Sequence, residues 1–270
     1  MGDATISSPA DLIDLRRYPI LDLNSESARE LTRHCREQLD RSGACELPGF
    51  LTPAAVEVLT REGDALSALA YHSESSGTPY LEIPDRNLPE DHPRRIFDHT
   101  SVGVVAYDQF PADSAMRRLY EWAPLMDFIC AALNKERLYR YADPFGALNL
   151  AVMREDERLH WHFDQTDFVT SIALRAADQG GDFDYVPLIR GAADENYPRV
   201  QRLLLGAEDE VVRVPMTAGT MLLFEGRNSI HRVTPIRGRT TRLVALLAYY
   251  TKPGTRSSRL LQRARYGREA

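Results

Sequence analysis

Cysteine is scarce: Cys35, Cys45 and Cys130 are the only three in 270 residues, too few and too scattered for a disulfide framework or a thiolate metal site. A reduced compartment, the cytoplasm, is the expectation that follows. Long apolar runs are missing too. Nothing approaches the roughly 18 consecutive apolar residues of a membrane helix, and no apolar stretch follows a basic start as in a secretory leader. No membrane partner is expected. Basic charge is also in deficit, with 33 Lys and Arg against 39 Asp and Glu for a net charge of −6. Phosphate-backbone binding needs a concentrated positive surface, so nucleic acid is not an expected partner. The one basic stretch, TRSSRLLQRARYGR in the tail 253–270, reads as a solvated terminal segment. Internal repeats and low-complexity linkers are absent, and one domain spanning 1–270 is expected.

What is present is ordinary globular composition, 43% hydrophobic and 27% charged. Residues 1–140 read as mostly helical. Ser25 to Leu39 has apolar residues at helical spacing, with Ser25 or Ser27 as candidate N-caps. GACELP at 43–48 is a short strand, Thr52-Pro53 opens a second helix, and Ser114 to Leu133 forms a third. The stretch 72–100 is rich in Pro, Ser and Asp. So long an irregular segment in a compact domain usually serves as a lid or binding loop. From 141 to 252 the texture changes to short β-rich runs separated by turn residues, such as ALNLAVM, GDFDYVPL, GTMLLFE and TTRLVALLAYY. That spacing points to an antiparallel sandwich or barrel, hence an α+β, mostly β chain with helices packed outside a distorted barrel.

The chemistry-bearing segment is His160-Trp161-His162-Phe163-Asp164. In a strand, alternate residues share a face, so His160, His162 and Asp164 lie together while Trp161 and Phe163 pack behind. His231 sits 67 residues beyond Asp164 on another expected strand. Two histidines and a carboxylate on one metal ion leave three adjacent positions open, the arrangement used by iron(II) oxygenases. A lone HxD pair is common by chance, and a histidine on an apolar strand is often a hydrogen-bonded core residue. The context therefore matters. After His231 the chain turns through Pro235-Ile236-Arg237-Gly238 and returns as a strand in which Arg242, Val244 and Leu246 share one face. An inward arginine is costly unless it meets an anion, and its planar fork suits a carboxylate. The alternative register puts Thr241, Leu243 and Ala245 inward instead.

HxD, a distal histidine and an arginine about ten residues later together resemble the iron(II)/2-oxoglutarate dioxygenases. HWHFDQTDF, GGDFDYVP at 180–187 and GTMLLFEGRNSIHRVTP are similar to one bacterial branch, the free-amino-acid hydroxylases related to the lysine radical halogenases. The likeness covers about 140–250, with weaker echoes in LPGFLTP (47–53), PYLEIPD (79–85) and DHPRR (91–95). It implies a double-stranded β-helix (jelly-roll, cupin-like) core. It also implies Fe(II) on His162, Asp164 and His231, 2-oxoglutarate as co-substrate with its distal carboxylate on Arg242, and dioxygen (O2) as oxidant. Halogenases of this branch carry glycine where this chain has Asp164, so the resemblance implies hydroxylation.

The expected substrate is a small polar metabolite, a free amino acid or close derivative. Asp143, in YADPFG, resembles the acidic residue that this branch places ahead of the metal strand to hold a substrate amine, although a turn aspartate before proline reads equally well. Arg95, beside Arg94 in the long loop, is a candidate carboxylate partner or a solvent-facing residue. His160 on the metal face can bond substrate, support the ligands or belong to the core. Asn149 is a polar residue on an expected buried strand and needs partners there. Gly180-Gly181 permits a tight turn or a close backbone approach. A peptidyl side chain as substrate, or a metal-binding barrel without oxygenase activity, stays open as an alternative, and a second copy of the chain is the macromolecular partner left open.

Overall fold

The computed structural model describes residues 6–270. Helix α1 (Glu26–Ser42) begins at Ser25, whose hydroxyl accepts the Ala28 amide, and ends at Gly43 in the left-handed conformation. Strand β1 (Ala44–Leu47) follows, then α2 (Pro53–Leu66), capped by Thr52 and opened by Pro53. The helix expected over 114–133 is two helices, α3 (Ala115–Glu121) and α4 (Ala123–Ala132), with Trp122 extended between them. Pro124 lacks the N–H that a continuous helix would use there.

The region 72–100 departs most from expectation, because its two ends are strands. β2 (Tyr71–Gly77) and β3 (Asp98–Val105) pair antiparallel from Tyr71↔Val104 to Gly77↔Asp98. Only 78–97 is loop. β2 is an edge strand whose Ser and Glu side chains face outward, so its sequence lacks the apolar alternation that marks a half-buried strand.

The remaining elements are β4 (Tyr139–Arg140), β5 (Leu148–Met153), β6 (Leu159–His162), β7 (Val169–Arg175), β8 (Phe183–Val186), α5 (Tyr197–Leu204), β9 (Val212–Val214), β10 (Met221–Phe224), β11 (Ile230–Val233), β12 (Arg242–Leu247), β13 (Tyr249–Tyr250) and α6 (Arg259–Tyr266). They build a seven-stranded sheet in the order β1-β10-β7-β12-β5-β3-β2 and a four-stranded sheet in the order β6-β11-β8-β9, with β13-β4 as a short ribbon. Together the two sheets make the jelly-roll of a double-stranded β-helix.

Side-chain alternation divides the core. From β12, Leu243, Ala245 and Leu247 join Leu148, Leu150 and Val152 of β5 in the cluster shared with α1, α2, α3 and α4. The opposite faces carry Val244, Ala151, Met153 and Phe224 of the large sheet into a second cluster with Tyr185 and Val233 from the facing sheet. The functional side chains sit at the rim of this second cluster.

The arginine-rich tail is not merely a solvated segment. Its helix α6 buries Gln262 and Tyr266, and Tyr266 enters the second core cluster against Phe145. Arg268 pairs with Asp108 and lies over the Phe145 ring, while Leu260 stays exposed. Only two of eight helix positions point inward, so the composition reads as solvated. Among the described residues no helix is long and apolar enough to cross a membrane, and all three cysteines are unpaired.

Candidate metal centre

β6 and β11 are neighbours in the small sheet, and their register sets His231 directly opposite His162. The two imidazole centroids are 4.2 Å apart. β6 ends at His162, so Asp164 lies just past the strand rather than on it; its N–H donates to the Gly226 carbonyl at 3.0 Å. One ligand atom from each of His162, Asp164 and His231 falls within 4.8 Å of the others. Asp164 Oδ2 stands 3.6 Å from His231 Nε2 and is buried with no hydrogen-bond partner.

The histidines are oriented from behind. His162 Nδ1 lies 2.7 Å from the His160 carbonyl, and His231 Nδ1 lies 3.1 Å from the Ser229 carbonyl. A carbonyl only accepts, so in each ring Nδ1 carries the proton and Nε2 keeps its lone pair. Burial, and next the neighbouring His231, hold the His162 imidazole well below its ordinary value, favouring the neutral form that can bind metal. Two neutral imidazoles with free Nε2 atoms and an otherwise unpartnered carboxylate oxygen fit a divalent metal ion.

Arg242 lies on the inter-sheet face with Val244, and only 5% of it is exposed. Among the described residues it forms no ion pair, and its hydrogen-bond contact is Met153 Sδ at 3.6 Å, a weak acceptor. Burial lowers its pKa to about 10, opposed by the charge of Asp182. A buried guanidinium left with a thioether suits a carboxylate ligand. Gly181, at φ +66°, makes room for it: a Cβ there would stand 2.9 Å from Arg242 Cδ. Gly180 likewise passes close to the Pro235 carbonyl.

His160 shares the metal side of β6, its ring centroid 5.7 Å from that of His162. Its Nδ1 takes the Thr100 hydroxyl, its N–H donates to Thr100 Oγ1, and its Nε2 is 3.5 Å from the Thr78 carbonyl. Burial lowers its pKa, with Asp98 acting in the opposite sense. His160 is thus a largely satisfied neutral residue flanking the ligands.

Asp143 and Asn149 are not brought to the site as free binding groups. Asp143 is buried, and its oxygens accept from the Phe145, Gly146 and Ser257 amides and from Gln262 Nε2. Four donors on one carboxylate leave no place for a substrate amine, which corrects the reading of this residue. Asn149 donates to the Phe145 and Leu148 carbonyls and accepts the Tyr266 hydroxyl at 2.9 Å. Both residues form the socket of α6. Arg95 is likewise engaged locally, donating to the Leu88 carbonyl within the loop.

Sequence reasoning missed Thr100, Met153 and Gly226. Thr100 lies on a strand read as loop, and Met153 gave no signal beyond its hydrophobicity. Gly226, in FEGRNSIH, reads only as a turn glycine.

The family model described as HalD, Halogenase D, matches residues 27–261. No curated protein matches the chain. Among solved structures, an oxidoreductase of the 2OG-Fe(II) oxygenase family from Burkholderia pseudomallei is 17% identical with a TM-score of 0.52, over 83% of this chain and 92% of that one. AviO1 from Streptomyces viridochromogenes is 16% identical with a TM-score of 0.57, over 84% and 97%. HygX from Streptomyces hygroscopicus, solved with nickel, 2-oxoglutarate and hygromycin B, is 16% identical with a TM-score of 0.56, over 83% and 88%. These likenesses show a shared fold.

Proposed function

The chain belongs to the halogenase D family, and on that premise we propose that it is an Fe(II)- and 2-oxoglutarate-dependent oxygenase that hydroxylates a C–H bond of a small polar metabolite. The carrying observation is the Asp164 carboxylate, which joins His162 and His231 in one ligand set. Bound there with 2-oxoglutarate and dioxygen, iron supplies an oxidant strong enough for an unactivated C–H bond, with succinate and carbon dioxide released.

The chain's own residues orient and exclude. His162 and His231 present Nε2 because their Nδ1 protons are tied to backbone carbonyls. Asp164 occupies the third protein position, where the related halogenases resembled by the sequence have glycine, so a halide finds no vacancy. Arg242 takes the distal carboxylate of 2-oxoglutarate, which replaces its thioether contact with charge-assisted hydrogen bonds. Met153, which touches the guanidinium, and Val244 on the same strand face are themselves buried.

The substrate in this reading is a free amino acid or close derivative. With Asp143 and Asn149 engaged elsewhere, the charged groups acting on the histidines include the Asp98–Arg158 ion pair near His160 and Arg265 near His162. Charges of both signs around the ligand set suit a zwitterion better than an apolar ligand.

The test is anaerobic reconstitution with Fe(II) and 2-oxoglutarate, then a screen of free amino acids in excess chloride. The expected results are a weak visible charge-transfer band, succinate formation and a product heavier by one oxygen atom. A chlorinated main product would overturn the hydroxylase reading. Turnover triggered only by peptides or apolar compounds would overturn the substrate class.

A further inference from the structure

The Asp164 carboxylate rests against the bare Cα of Gly226. A Cβ placed on Gly226 would lie 1.7 Å from Asp164 Oδ2, 2.6 Å from its Cγ and 3.0 Å from its Cβ. No rotation of one flexible end relieves all three contacts, since they run the length of the aspartate side chain. The two residues are also joined by the Asp164 N–H to the Gly226 carbonyl, which fixes their separation. Gly226 does not have positive φ, unlike Gly181 or Gly238. Its backbone is therefore open to any residue, and what requires glycine there is space alone.

The turn that carries Gly226 is held on both sides. Arg227 pairs with Asp167 and with the Gln165 carbonyl, while Ser229, three residues past the glycine, offers its carbonyl to His231 Nδ1. The same short segment thus orients one histidine and borders the carboxylate.

We propose that Gly226 is a positioning residue for the carboxylate ligand: its missing side chain lets Asp164 reach the metal face, so that residue 226 governs whether the third protein ligand is available. The proposal rests on the metal reading given above, and it assigns to position 226 a role distinct from turn formation. Gly226→Ala leaves the backbone unstrained and pushes the carboxylate aside. It therefore mimics loss of the ligand while Asp164 itself is intact.

The experiment is a two-by-two set of wild type, Gly226→Ala, Asp164→Gly and the double variant. Each is titrated anaerobically with Co(II) alone and followed by its visible absorption, with thermal melts of the metal-free proteins alongside. Gly226→Ala is expected to weaken Co(II) binding by about 10–100-fold, on the scale of lost ligand support. In the Asp164→Gly background the same alanine should change binding by less than about twofold, because the atoms it displaces are gone. Should Gly226→Ala alone fail to fold, the double variant is expected to fold, since Asp164→Gly removes the three clashing atoms. An equal loss in both backgrounds, unaltered binding in Gly226→Ala, or a double variant as unstable as the single one overturns the proposal. Wild-type Co(II) binding in Asp164→Gly would instead sink the metal reading.

Discussion

Two clusters of buried polar side chains in this protein draw on similar residue types and have opposite character. Around α6, Asp143 and Asn149 meet a full complement of partners: four donors on the carboxylate, two acceptors and one donor on the amide. Around the ligand triad, Asp164 Oδ2 has no partner and Arg242 faces a sulfur atom. Folding satisfies buried polar groups wherever it can, because each one left unmet costs free energy. The first cluster therefore reads as architecture, and the second as a place where the partner comes from outside the chain.

The comparison breaks most visibly at Asp143. Asp143→Ala would leave four donors unpaired, two of them in fully buried hydrogen bonds, and undock α6, so a loss of about 3 kcal/mol or more in urea unfolding is expected. Metal stoichiometry of the folded fraction should not change. A loss below about 1 kcal/mol would show that this cluster is not the structural one.

Acid should separate the two regions. His160 and His162 both have lowered pKa values in the metal-free fold. The unfolded chain therefore takes up protons near pH 6.5 while the fold resists them, and stability falls as pH drops through that value, by up to about 1.4 kcal/mol per pH unit for each imidazole. Asp143 has the other dependence. Its folded pKa is lowered by its hydrogen bonds with Gln262 and the Gly146, Phe145 and Ser257 amides, against the opposing effect of burial. Its contribution is present above the ordinary carboxylate value and is lost as pH falls below it. Urea midpoints between pH 8 and 3 should show two separate declines. The upper one should keep its onset but become shallower in a His160→Gln variant, because His162 still contributes, and an unchanged slope there would remove His160 from the account.

Arg242→Met tests the opposite sign. Removing an unpaired buried charge should raise the melting stability of the ligand-free protein by about 1 kcal/mol, while the apparent constant for 2-oxoglutarate rises about tenfold or more. A destabilised variant with unchanged 2-oxoglutarate affinity would place Arg242 with the structural cluster. The smallest effect belongs to Arg95. Bonded to its own loop, it should tolerate alanine within about 0.5 kcal/mol, and substrate-triggered turnover of 2-oxoglutarate should stay within about twofold.

The legible features of the site were those fixed by local periodicity. His160 and His162 follow the two-residue repeat of a strand, and Arg242 with Val244 follows the same repeat on β12. The helix starts at Ser25 and Thr52 were legible because capping needs only neighbouring residues. What escaped depends on distant partners. Asp143 meets Gln262 and Asn149 meets Tyr266 across more than a hundred residues, and no local pattern distinguishes a socket aspartate from a substrate-binding one. β2 escaped because an edge strand needs no apolar face, and Gly226 because the atoms that require its small size belong to Asp164.

The register of His231 against His162 has a further consequence. β6 is only four residues long and lies at the end of its sheet, paired with β11 at His162↔His231 and Leu159↔Val233 with a register shift between them. An ion held by residues of both strands acts as a cross-strand clamp, closing a long chain segment at a point where the pairing is short. Release of the ion and fraying of the edge are then one opening event. Amide hydrogens at 160–163 should exchange slowly in the metal-loaded protein and quickly without metal, while those of β5, in the middle of the large sheet, should hardly respond. The rate at which a strong chelator strips the protein would then be set by how often this edge opens.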